Sequence, residues 1–236
     1  MWRWVALRRV IALILCILLL PIPAARGQEI KYVALTFDDG PSGRFTRRLL
    51  DGLAQRKVYA TFLLCGYRMA QDRKLAVRIL EEGHEIGLHG YSHTLMHTMS
   101  QGEIRRELEQ TLALVPPGCA PIFFRPPGGV TTPAVKAAAK EMDLAILNWS
   151  VDPRDWAKTN AADVQSAIMD LTGDGDVILL HDMRDSSVDA ALATVDRLLE
   201  QGYRFVTASQ LAAIRGILPV PGEVYCSFAH KSANTK

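Results

Sequence analysis

Two adjacent carboxylates head the chemistry available to this chain. In Val33-Ala34-Leu35-Thr36-Phe37-Asp38-Asp39-Gly40-Pro41 an apolar run stops at Asp38 and Asp39, and a Gly-Pro turn follows. Neighbouring carboxylates repel and disfavour joint ionisation unless a cation lies close by. Taken alone, the stretch also suits a solvated hairpin turn. Partners for a cation occur in His89-Gly90-Tyr91-Ser92-His93. Histidines at this spacing also mark zinc-protease helices, but Gly87 and Gly90 disfavour a helix and no Glu follows His89. Two neutral imidazoles and one carboxylate, with positions left open, form a catalytic zinc-type donor set; cobalt, nickel or manganese suit it as well. One aspartate on the metal leaves the other free. Beside a basic neighbour such as Arg125, the free one can act as a general base toward water. His181 is the candidate acid for a leaving group, with an aspartate such as Asp155 to orient its ring and raise its pKa.

These residues need elements to hold them. Seven strand-like runs (31–37, 58–64, 85–89, 122–125, 144–151, 176–181 and 203–206) alternate with helical ones. The helical stretches are 45–56, 69–82, 100–114, 133–142, 161–171, 188–201 and 208–215. Ser100-Gln101-Gly102-Glu103 has the capping-box pattern, Pro133 suits a first helical position, and Asn160 suits a cap. Strict alternation predicts a parallel sheet with helices outside. The expected fold is an irregular (β/α)7 barrel related to the TIM barrel, in a single domain over 28–216; a doubly wound open sheet is the alternative. Residues 217–236 are expected to form an irregular polar tail. In either fold, function gathers at the C-terminal strand ends. Asp38 and Asp39 end the first run, His89 the third, Arg125 the fourth and His181 the sixth, while Asp155 follows the fifth.

The 236 residues are 49% hydrophobic and 22% charged, a globular composition. Arg3, Arg8 and Arg9, a continuous apolar run over 10–20, and the small Ala25 and Gly27 form the pattern of a secretory signal peptide over 1–27. The apolar run is short against the ~20 residues of a membrane span, so the protein is expected to be exported, secreted or held at the cell envelope. A retained N-terminal segment would be its only membrane anchor. Residues 1–27 carry four of the 27 basic residues and none of the 25 acidic ones, so the remainder is slightly acidic. Nothing in that balance suggests nucleic-acid binding. Cys65, Cys119 and Cys226 permit one disulfide but do not imply it.

With these motifs in order, the chain resembles the polysaccharide deacetylases, the carbohydrate esterase family 4 group with a NodB-homology domain. The likeness runs over 31–214. By resemblance, in Thr36-Phe37-Asp38-Asp39-Gly40-Pro41 the first aspartate is the base and the second a metal ligand; His89 and His93 are the other ligands. Arg125 of Arg125-Pro126-Pro127-Gly128-Gly129 would position Asp38, with Pro126 and Gly128 beside the substrate and a backbone N–H there facing the oxyanion. Asp155 of Asp152-Pro153-Arg154-Asp155-Trp156 would orient the acid His181, and Trp156 and Leu179 would wall an acetyl pocket. The resemblance implies metal-dependent removal of N-acetyl groups from amino sugars, N-acetylglucosamine or N-acetylmuramic acid, of a peptidoglycan or chitin-like glycan. O-acetyl ester hydrolysis on xylan-like glycans, or a non-catalytic metal-containing glycan-binding role, are the alternatives. Two positions depart from the family pattern. Gly90 replaces a hydroxyl residue, which predicts a looser metal loop, and Gly128 replaces an aromatic, which predicts a more flexible third-motif loop. His84 reads as structural and Trp149 as core.

Overall fold

The computed structural model describes residues 29–229. The proposed signal segment over 1–27 and His230 of the tail lie outside them. Eight strands form one sheet: β1 (Lys31–Asp38), β2 (Thr61–Leu64), β3 (Glu85–Leu88), β4 (Phe123–Phe124), β5 (Ala145–Leu147), β6 (Val177–His181), β7 (Tyr203–Val206) and β8 (Val224–Tyr225). Their order is β6-β1-β2-β3-β4-β5-β8, with β7 beside the N-terminal half of β1, and every ladder is parallel. Bridges from Val151 to Ile178 and from Asp176 to Ser227 bring the far edge back to β6. The expected irregular barrel is therefore observed, rather than an open sheet.

Eight helices cover it: α1 (Gly43–Arg56), α2 (Gly66–Gln71), α3 (Arg73–Glu81), α4 (Gln101–Leu112), α5 (Pro133–Glu141), α6 (Ala161–Leu171), α7 (Asp185–Glu200) and α8 (Ala208–Ile214). The capping box opens α4, Pro133 is the first residue of α5, and the Asn160 side chain caps α6, as the sequence predicts. The single helix expected over 69–82 is instead two. Asp72 leaves helical geometry and turns its carboxylate onto the Leu75 N–H, so one residue ends α2 and caps α3.

Alternation along β1 sorts its side chains. Val33, Leu35 and Phe37 join the core beneath the helices, while Ala34 packs into a separate inner cluster with Phe123, Leu147 and Phe228. Thr36 and Asp38 share the inward parity of Ala34. The tail corrects an expectation: β8 pairs with β5, and Phe228 is buried against Phe123 and Tyr225. The domain thus continues beyond 216 through the described residues. A two-residue strand carries too short a pattern to announce itself in sequence. Cys65, Cys119 and Cys226 are all free.

Candidate active site

β1 and β6 lie side by side with Asp38 opposite His181, so two potential proton-transfer groups reach one rim from adjacent strands. Asp38 is buried, and its Oδ1 accepts a hydrogen bond from Arg125 Nη1 at 2.6 Å. Arg125 has no exposed surface. Its Nε donates to the Leu147 carbonyl (2.6 Å), Nη1 also to Thr36 Oγ1 (3.0 Å) and Nη2 to the Asn148 carbonyl (2.9 Å). The Trp149 indole lies beside the guanidinium at 5.5 Å. A buried cation needs its donors paired in this way. Each bond also removes one way for the fork to turn, so the Asp38 carboxylate is held in one place.

Asp39 meets different partners. Its backbone is left-handed (φ 73°), uncommon for a residue with a side chain. His89 Nδ1 lies 2.7 Å from the Arg125 carbonyl, which can only accept, so the proton sits on Nδ1 and Nε2 keeps its lone pair. That Nε2 is 3.3 Å from Asp39 Oδ1, and His93 Nε2 is 2.9 Å from the same oxygen. Neither contact meets the geometry of a hydrogen bond, and the buried Oδ1 is left without a partner. The ligand atoms of Asp39, His89 and His93 all lie within 4.8 Å of one another. Lone pairs converging on a shared point fit a divalent cation. Burial works against charge on Asp39, but His89 and His93 outweigh it and hold its carboxyl well below the usual range. His93 is raised in return, chiefly by its contact with Asp39.

His181 is held by a second buried carboxylate. Its Nδ1 is 2.7 Å from Asp155 Oδ1, and its backbone N–H donates to Asp155 Oδ2 at 2.9 Å. Asp155 is 1% exposed, in a short 3-10 turn after left-handed Arg154. Burial disfavours the charged ring, but the bond to Asp155 and the carboxylates of Asp155, Asp38 and Asp39 outweigh it, pushing the His181 pKa up to about 9. The imidazole is thus an acid at neutral pH, with Nε2 left for the cleft.

Asp38, Asp39, His89, His93 and His181 line one open cleft of about 530 Å³ together with Gly128, Trp156 and Leu179. Arg125 and Asp155 stand behind it, Arg125 supporting Asp38 with its side chain and His89 with its carbonyl, and Asp155 supporting His181. Pro126, expected beside the substrate, is instead buried and does not line the cleft. Pro126 and Pro127 lack N–H groups, so Gly128 offers the first backbone donor after Arg125. Trp149, expected in the core, does pack against the inner cluster but is only half-buried and also lines the cleft, because β5 stops at Leu147 and strand alternation no longer governs it. His84 is structural as expected, its Nδ1 accepting from the Ala60 N–H at 3.1 Å beside Phe62. Leu95, Met183 and Arg184 also line the cleft and were missed. Their signal was position alone, on loops that follow strand ends.

The two glycine departures have local answers. At Gly128 a Cβ would lie 3.1 Å from Leu95 Cδ2, so a leucine from the metal loop fills the space beside that glycine. Gly129 donates to the Pro126 carbonyl and accepts from Asn148 Nδ2, which ties down the loop expected to be flexible. The loop through Gly90, expected to be looser, accepts hydrogen bonds on one side, from the Gly66 and Tyr67 N–H groups to the Gly90 and Tyr91 carbonyls, and donates on the other, from the Tyr91 and Ser92 N–H groups to Glu107.

Comparison with known proteins places this geometry. The sequence model of the polysaccharide deacetylases matches residues 25–147. The peptidoglycan-N-acetylmuramic acid deacetylase PdaC of Bacillus subtilis is 37% identical over 187 residues, covering 78% of this chain and 39% of that protein. The chain thus spans about two fifths of PdaC. A peptidoglycan-N-acetylglucosamine deacetylase of Bacillus cereus is 36% identical over 187 residues, covering 77% of this chain and 88% of that protein. Among solved structures, a family 4 acetyl xylan esterase from Clostridium thermocellum in complex with a cobalt ion has a TM-score of 0.78 at 34% identity, covering 84% of this chain and 98% of that one.

Proposed function

The chain belongs to the polysaccharide deacetylase family, and on that premise we propose that it is a metal-dependent hydrolase removing N-acetyl groups from the amino sugars of peptidoglycan, with release of acetate. One observation carries this reading: a buried Arg125–Asp38 pair and a half-buried His181 held by buried Asp155 open onto the same cleft, with Asp39, His89 and His93 gathered beside them. A site that only bound glycan would need neither proton-transfer group. The relatives named for peptidoglycan favour that glycan over chitin-like ones.

In this reading Asp39, His89 and His93 hold the cation, and zinc suits the donors best. When bound, it supplies Lewis-acid stabilisation of developing negative charge and a lowered water pKa. Asp38 accepts the proton of the attacking water as the new C–O bond forms, with Arg125 fixing its position. The N–H of cleft-lining Gly128 would be the donor to the tetrahedral oxyanion. His181 gives its Nε2 proton to the departing nitrogen as the C–N bond breaks, and Asp155 keeps the ring oriented and charged. Trp156 and Leu179 wall the space for the acetyl methyl group. The N-terminal segment is proposed to export the protein to the cell envelope.

The test is acetate release from peptidoglycan, chitooligosaccharides and acetylated xylan, with and without added zinc, cobalt, nickel or manganese. Asp38→Asn and His181→Ala are expected to lose turnover by a factor of about 10² or more while keeping bound metal. His89→Ala or His93→Ala is expected to lower metal content by elemental analysis. Wild-type turnover in Asp38→Asn would remove the base, and release from O-acetylated xylan alone would replace the amidase with an esterase.

A further inference from the structure

The loop joining the two histidine ligands has an anchor outside the catalytic set. Glu107 lies on α4, and its half-buried carboxylate faces that loop. Oε2 accepts from the backbone N–H groups of Tyr91 and Ser92, both at 2.8 Å, and Oε1 accepts from Ser92 Oγ at 2.9 Å. Ser92 Oγ in turn lies 2.7 Å from Thr94 Oγ1 and accepts from the Thr94 N–H. The chain of bonds therefore brackets His93. Glu107 has no cationic partner among the described residues, so its charge-assisted bonds all go to this loop.

The loop needs such an anchor. Both Gly90 (φ 79°) and His93 (φ 61°) are left-handed, and for His93 that conformation has a real cost. A side chain at 90 would be strained at that positive φ, and its Cβ would sit 2.8 Å from Met96 Cε, which would have to shift, and 3.4 Å from Glu107 Oε2. We propose that Glu107 is a positioning residue for the His89 and His93 ligands, doing from α4 what a hydroxyl residue at 90 would do from within the loop. This inference rests on the reading of Asp39, His89 and His93 as a metal site.

The experiment titrates zinc into metal-free protein by calorimetry, with folding followed by circular dichroism. Glu107→Ala is expected to weaken zinc binding by about 10–100-fold, as loss of a group that orients ligands does elsewhere. Glu107→Gln keeps an oxygen for both N–H groups and is expected to stay within about threefold of wild type. If Glu107→Ala fails to fold, Glu107→Asp, with its carboxylate drawn back by one methylene, is expected to weaken binding in the same direction. Wild-type affinity in folded Glu107→Ala or Glu107→Asp overturns the inference. So does a loss in Glu107→Gln equal to that in Glu107→Ala, which would trace the effect to charge rather than position. A wild-type protein that binds no zinc, cobalt, nickel or manganese instead overturns the metal site itself, and this inference with it.

Discussion

At the scale of single residues, the two adjacent aspartates are separated by their partners. Asp38 meets a fully buried arginine whose side chain makes four hydrogen bonds, whereas Asp39 meets two imidazole lone pairs. The Arg125 backbone links the two halves, because its carbonyl fixes the tautomer of His89 while its side chain holds Asp38. His181 yields a pH prediction. Its folded-state pKa lies near 9, above 6.5 for free imidazole, so it is the protonated form that is lost as pH rises. Activity should therefore fall on the alkaline side with loss of one proton, at or below about pH 9, since a bound cation opposes the charged ring. Asp155→Asn removes the largest cause of the rise and should move this limb toward 6.5 while lowering the maximum. A kcat/KM profile with the same alkaline limb in both proteins would assign that limb to another group.

At the scale of elements, each strand delivers its residue by ending in the right place, and the turns after β1, β3 and β5 use left-handed residues at Asp39, His93 and Arg154. Conformations of this kind persist only where surrounding structure over-determines them. The β2–β3 layer carries a different titration. Buried His84 accepts a hydrogen bond from the Ala60 N–H, which an imidazolium cannot do. Burial lowers its pKa to about 4, from 6.5. The unfolded chain thus binds more protons than the folded one in this window. Stability complete above pH 6.5 is lost as pH falls toward 4, by on the order of 3 kcal/mol. Burial of Asp182 and Glu85 raises their pKa values and acts with the opposite sign, so the test is the difference: in urea unfolding between pH 7.5 and 4, His84→Gln should lose less stability on acidification than the wild type. An unchanged slope in the variant would clear His84 of the effect.

At the scale of the whole molecule, the barrel is closed by pieces far apart in sequence. The segment after β5 reaches β6 through Val151, and the tail contributes β8 and the Phe228 side chain. Phe228 packs with Phe123, Leu147 and Ala34, on the same inner side of β1 as Asp38 but toward its other end. Phe228→Ala is expected to cost about 3–5 kcal/mol of unfolding free energy, the usual range for emptying a buried aromatic site. Acetate release per folded molecule should change little, because Asp38, Asp39, His89, His93 and His181 all lie outside the cluster that holds the ring. A loss below ~1 kcal/mol by chemical denaturation would show that the tail is not part of the core.

Much of this was legible from the chain alone. Alternating strand and helix patterns determine a parallel sheet with helices outside, because hydrophobic period and cap chemistry act over a few residues, whereas closure into a barrel rather than an open sheet was decided by the tertiary structure. Parallel β-α units put every strand's C-terminal end on one rim, so Asp38, Asp39, His89, Arg125 and His181 could be gathered without coordinates. What lay beyond the sequence was set by long-range packing. Pro126 fell outside the cleft lining and Trp149 within it because the strands ended sooner than their apolar runs. β8 joined the sheet through two residues that carry no readable period. Glu107, one acid on a solvated helix, became the anchor of the metal loop only when α4 packed beside it. The two aspartates are the sharpest case. Their adjacency and their position at a strand tip are local facts, but which of them faces a guanidinium and which faces two imidazoles depends on the barrel bringing the C-terminal ends of β3 and β4, which do not pair with β1, to the same rim.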